Sequence, residues 1–182
     1  NILGLLGAEY IIFQEDITYP KIDLIKTQKQ IESWKGVKKV QIFDKLNLYS
    51  LDPKIVKPRI YTSGNIIKIN SLIEAWDQVV LDEWNKSSVF TLQDIGVELK
   101  NNLTPQISYT KLSTTHYKVS IRGSLNPYIL ILNNTYDELW KARIDNQIVS
   151  KHFIVNGFAN GWLIDKNGDY EIEIKLAVWP WD

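Results

Sequence analysis

The chain has no cysteine, no methionine and only two histidines among its 182 residues. Without cysteine there is no disulfide, no thiolate metal site and no cysteine nucleophile, and the compartment is left open. Neither sign of charge is in excess. The 21 lysines and arginines balance the 21 aspartates and glutamates, so no global positive field gathers nucleic acid, which is not expected as a partner. Long apolar runs are missing too. Residues 10–13 and 128–132 are among the longest, against the ~20 residues needed to cross a bilayer. The first residue is Asn1 rather than a methionine, and the chain reads as a segment of something longer.

Catalytic signatures are equally scarce. His116 and His152 have no second histidine at helical or hairpin spacing, and no HExxH occurs. There is no GxSxG elbow, no GxGxxG and no GK[ST] ending. The stretch "DKNGD", Asp165 to Asp169, alternates oxygen donors but lacks the twelve-residue calcium frame, and reads as a polar hairpin. The acidic pairs Glu15-Asp16 and Asp137-Glu138 read as solvated loops. No catalytic residue, metal or cofactor is therefore assigned.

What is present is apolar patterning: 45% of the residues are hydrophobic and 12% aromatic, enough for a core. Tyr10 to Phe13 suits a buried strand. Beyond Pro20, Leu24, Ile25, Ile31 and Trp34 fall near one helical face, with Asp23 as N-cap and Gly36 as stop. Val40 and Ile42, a turn at Asp44-Lys45, then Leu46 and Leu48 predict a hairpin, so the first ~50 residues read as β-α-β-β. "RIYTSGNIIKI" predicts two short strands around Ser63-Gly64-Asn65, and Ser71 with Glu74 forms a capping box for a helix carrying Leu72, Ile73, Trp76, Val79, Val80 and Trp84.

From Thr104 onward the pattern is of strands alone. Tyr117, Val119 and Ile121, then Trp140, Ala142 and Ile144, then Tyr170 to Val178 alternate with polar residues, and Tyr128 to Leu132 is apolar throughout, as in a strand covered on both faces. The predicted fold is α+β, a small α/β lobe over 1–103 followed by an antiparallel β-sandwich or jelly roll over 104–182, the break falling near Asn101 to Pro105. Three Asn-Gly pairs, at 156–157, 160–161 and 167–168, crowd the end of the chain. Asn167-Gly168 reads as an ordinary type I′ hairpin, and the other two as a bulged excursion leaving Phe158 at the core or a rim.

Seven tryptophans suggest either core or a sugar-stacking face. Trp34, Trp76, Trp84 and Trp140 lie on apolar phases. Trp162 fits either role, and Trp179 and Trp181 read as a surface patch or a junction. Asn85, Asn102 and Asn133 begin N-x-[ST] patterns and are candidate glycan acceptors if they lie in exposed turns outside a cell.

Three stretches carry a family likeness. "LLGAEYIIFQEDI", "NPYILILNNTYDELWKARI" and "KHFIVNGFANGWLIDKNGDYEIEIKL" resemble extracytoplasmic parts of large multi-pass membrane proteins of archaea and bacteria. Those proteins look like class-C glycosyltransferases using polyprenyl-linked sugars, including arabinofuranosyltransferase-like enzymes, and the resemblance implies a carbohydrate-binding-module-like sandwich. The matching positions are Tyr136, Trp140, Lys141, His152, Asn156, Gly157, Asn160, Gly161 and Trp162, and the sequence departs at Asp137-Glu138-Leu139, where the family has a Pro-Gly turn.

The resemblance implies a non-catalytic C-terminal domain on the extracytoplasmic face of the membrane, joined to it by adjoining segments. Its work would be to contact a glycan or lipid-linked sugar, or to brace the membrane part. Tyr136, His152, Asn156, Asn160, Trp162 and Trp179 are the candidate contacts. A ligand-free scaffold or cell-surface assembly module is the alternative. Two exposed aromatic rings beside polar groups in a groove favour sugar; complete burial of Trp140 and Trp162 favours scaffold.

Overall fold

The computed structural model describes residues 2–16, 22–71, 73–74, 88–97, 99 and 103–177. The chain divides into two units, one ending at Pro58 and the other starting at Arg59. The first contains α1 (Ile2–Leu5), β1 (Tyr10–Gln14), α2 (Leu24–Ser33), β2 (Val37–Phe43) and β3 (Leu46–Leu51). Its sheet has the order β1-β3-β2, antiparallel throughout.

The local signals behave as expected here. The Asp23 carboxylate accepts the Lys26 N–H at 3.0 Å and caps α2, and Gly36, at φ +81°, follows its end. Asp44 takes φ +52° at the β2–β3 turn. Only one sheet face is covered, where Phe13, Tyr49 and Ile31 of α2 pack together. β1 is therefore half-exposed rather than buried as predicted: Ile12 stays 70% accessible while Phe13 is enclosed, because helix lies on one side alone. Trp34 caps the end of α2 and is exposed instead of joining the core.

The second unit is the sandwich. It contains β4 (Ile60–Ser63), β5 (Asn65–Lys68), β6 (Ser88–Thr91), β7 (Gln106–Ser113), β8 (His116–Ser124), β9 (Tyr128–Thr135), β10 (Trp140–Ile144), β11 (Gln147–Ile148), β12 (His152–Val155), β13 (Ala159–Ile164) and β14 (Gly168–Leu176). A five-stranded antiparallel sheet, β11-β10-β14-β8-β7, faces a four-stranded one, β12-β13-β9-β4. Tyr117, Val119 and Ile121 of β8 interdigitate with Leu130 and Leu132 of β9 and with Trp162 of β13 to form the core between them.

The four-stranded sheet is also covered on its far side. There Ile129, Ile131, Phe153 and Val155 pack with Val89 of β6 and, half-buried, Ile66 of β5. That second layer explains the unbroken apolar run of β9, whose residues 128–132 are all wholly buried. It also moves the boundary. The sequence pattern puts the break near 103, whereas β4 already pairs with β9, setting Ile60 opposite Leu132, so the sandwich unit begins near residue 59. Gly64 makes no hairpin and has no positive φ, because β4 and β5 belong to different sheets and β5 pairs with β6 in parallel. Of the helix expected after Ser71, the described part is its cap, where the Glu74 N–H donates to Ser71 Oγ at 3.2 Å. Trp76, Val79, Val80 and Trp84 lie outside the described residues, as do Asn85, Asn102, Trp179 and Trp181.

The three Asn-Gly pairs perform three different tasks. Asn156 and Gly157, at φ +55° and +78°, make the β12–β13 turn. Asn167-Gly168 does not close a hairpin as predicted: it carries the chain from β13 in one sheet to β14 in the other, with Gly168 at φ +90°. Asn160-Gly161 is no turn at all. It lies inside β13, where a Cβ on residue 161 would come within 2.5 Å of Val155 Cγ1. Valine is stiff at χ1 and this one is enclosed, so the site cannot relax cheaply. Gly161→Ala is expected to cost about 1–3 kcal/mol, read as a lower denaturation midpoint at unchanged m-value. The same change at Gly123, where nothing lies within 4 Å of a new Cβ but φ is +65°, tests backbone strain alone.

Candidate functional site

The residues nominated by sequence converge at one end of the β12–β13 hairpin, and a bulge brings them together. In the β13–β9 ladder Ala159 lies opposite Thr135 while Asn160 lies opposite Leu132, so Asn133 and Asn134 are extra residues on β9. A bulge takes carbonyls out of the ladder. The Asn160 side chain replaces what is lost: its Nδ2 donates to Asn134 O at 3.0 Å and to Thr135 O at 3.2 Å.

With both amide protons so committed, Asn160 Oδ1 is the acceptor end. It takes the Asp137 N–H at 3.2 Å and lies 3.0 Å from His152 Nε2. The imidazole must therefore carry its proton on Nε2. Asn160 is wholly buried, and all four hydrogen-bonding positions of its amide are used.

His152 is directly opposite Trp162 in the β12–β13 pairing, which places the rings on one face. They stack with centroids 4.6 Å apart at 9°, and the Tyr136 ring lies 4.9 Å from the imidazole, tilted by 38°. Trp162 has no accessible surface and Trp140 is buried, so neither offers a stacking face to a sugar. Tyr136 and His152 remain half-buried at the rim. Burial holds the His152 pKa below its ordinary value and Lys141 adds to that, against the Asn160 hydrogen bond and the carboxylates of Glu138 and Asp137. Burial raises the Tyr136 phenol, with Glu138 and Asp137 adding to it.

Asn156 is also committed at both ends of its amide, through one donated and one accepted bond. Its Nδ2 donates to the Tyr61 hydroxyl at 2.9 Å, its Oδ1 accepts the Phe90 N–H at 3.1 Å and its own N–H donates to Phe90 O at 2.8 Å. It ties the hairpin to β4 and β6. Asn133, a glycan acceptor only if it lies in an exposed turn, is instead buried within β9, where its N–H donates to Arg59 O. A glycan cannot be attached there without opening the sheet.

The outward face of the five-stranded sheet has a different character. His116 Nε2 lies 2.8 Å from Glu173 Oε1, Lys118 pairs with Glu171 at 2.9 Å, and Arg122 pairs with Asp169 at 3.1 Å. A depression of about 330 Å³ lies beside the first two of these pairs and Arg143. Such exposed pairs are screened by solvent, contribute little to stability and gather no nucleophile with a base. The second "DKNGD" carboxylate is similarly engaged. Asp169 accepts the Gly123 N–H at 2.8 Å, which together with Arg122 holds it below the usual carboxylate range. Sequence reasoning missed Asp145-Asn146, at φ +51° and +64°, which turn β10 into β11; the adjacent positive-φ Asx pair was the available signal.

No family model, curated protein or solved structure matches this chain.

Two outcomes are expected. Asn160→Ala leaves two carbonyls and two N–H groups short of partners and is expected to cost about 2–4 kcal/mol in chemical denaturation. For His152, the folded chain holds the proton less tightly than the unfolded chain, whose value is near 6.5. Its contribution to stability is therefore complete above about pH 6.5 and is lost as the pH falls below that toward the folded-state value. The His152 Hε1 resonance is expected to titrate below 6.5, and His152→Gln to remove that share of the acid sensitivity.

Proposed function

We propose that this chain is a non-catalytic structural module whose sandwich braces or joins parts of a larger protein, and that the cluster around Asn160 is a strut rather than a binding site. The complete burial of Trp162 carries this reading, because it removes the largest aromatic face beside the committed amides. Each polar group that a sugar hydroxyl would address on Asn156 or Asn160 already has an internal partner. The family resemblance supports a setting for this role: the extracytoplasmic face of a multi-pass, glycosyltransferase-like membrane protein. No described helix is long and apolar enough to cross a membrane, so the reading assigns the spans to adjoining segments.

A second reading, contact with a glycan or lipid-linked sugar, is favoured by one observation, the half-buried Tyr136 and His152 rings at the hairpin rim. Glycan-array binding of the full 182-residue chain separates the two, with Tyr136→Ala alongside. The structural reading predicts retention of no glycan. Glycan retention that Tyr136→Ala abolishes at an unchanged melting temperature would establish the second reading instead.

A further inference from the structure

The edges of the two sandwich sheets are not protected alike. On β12 the Thr91 hydroxyl donates to Ile154 O at 3.1 Å and the Ile154 N–H donates to Gln93 Oε1 at 3.2 Å, so this edge is clothed by residues at and beyond the end of β6. β11 has two residues and β4 has four, too short to template a long ladder. β7 is different. It has eight residues, all exposed except the half-buried Ile107; it runs in regular register with β8 over 106–111, Leu112 being an extra residue at its end, and among the described residues it is paired on one side alone.

Among the described residues no hydrogen bond from outside the β7–β8 hairpin reaches this strand. No proline interrupts "QISYTKLS", and Lys111 is its one charge. A row of N–H and C=O groups along such an edge is a template for another strand.

We propose that β7 pairs antiparallel with β7 of a second copy of this chain, fusing two five-stranded sheets into one across a two-fold axis. Residues that face each other across that axis must point to the same side of the sheet, so their positions sum to an even number. Centred on Tyr109, the pairing sets Ser108 against Thr110 and Ile107 against the aliphatic stem of Lys111. Centred on Thr110, it sets Tyr109 against Lys111. In either register Lys111 avoids its own copy, and the facing pairs are hydroxyl, aromatic or aliphatic combinations that stabilise adjoining strands. This self-complementarity favours a second copy over a foreign strand. The edge is separate from the Asn160 cluster, so its fate does not decide the reading given above.

Light scattering of the full chain from about 1 μM to about 1 mM, the span over which weak interfaces fill, is the test. The expected result is a mass that doubles with concentration, together with hydrogen-exchange protection of residues 106–113 that rises in step. Ser108→Lys with Thr110→Lys sets like charges against each other across the axis and is expected to hold the chain monomeric at an unchanged melting temperature. A native chain monomeric throughout, a doubly substituted chain that still dimerises, or protection of β7 that ignores concentration would each overturn the proposal. Should the substituted chain not fold, the exchange measurement on the native chain decides.

Discussion

The sandwich depends on one buried amide. Where β9 carries two extra residues, Asn133 and Asn134, its ladder with β13 breaks, and carbonyls inside a protein cannot be left without protons at a cost of about 1–3 kcal/mol each. Asn160 supplies both protons from within the neighbouring strand, and its oxygen gathers the Asp137 N–H and His152. Beyond the bulge the strands meet again, the Tyr136 N–H donating to Phe158 O at 2.6 Å. An aspartate or leucine of similar size provides only acceptors or nothing, so the site is specific for an amide.

The aromatic rim follows from this arrangement. The Asn160 oxygen fixes the tautomer of His152, the imidazole lies flat on Trp162, and Tyr136, delivered by the chain leaving the bulge, packs against the imidazole. Asn156 does the corresponding work at the tip, binding the hairpin to Phe90 and Tyr61. Two asparagines thus anchor a hairpin that is otherwise held by apolar packing, and Gly161, next to Asn160, lets Val155 come close. A cluster so saturated is rigid, which suits a part that transmits position.

The sequence revealed what depends on neighbours in the chain. The Asp23 cap, the Asp44 turn and the alternation of Tyr117, Val119 and Ile121 each follow from residues within a few positions, and each is found. So is the doubly covered β9, because a strand with one face in water needs polar residues at every second position and this one has none over residues 128–132. The pairing of β4 with β9 joins segments some 70 residues apart, and no local pattern encodes it. For that reason the change of pattern at Thr104 falls well inside the sandwich rather than at its start. Asn160-Gly161 misled for the same reason: the pair has the chemistry of a turn, but a distant bulge on β9 needed the amide and a close-packed Val155 needed the glycine. The exposure of Trp162 was equally unreadable, since strand phase says which sheet face a ring occupies but not what covers it.

The most direct probe is the Asn160 side-chain amide, followed by hydrogen exchange in the native state. If its two protons bridge the bulge as described, they exchange only when the sandwich opens, at the rate of the slowest backbone amides of β9 and β13. Exchange at the rate of a solvated asparagine would mean that the bulge is held by something else, and would contradict the role given to Asn160.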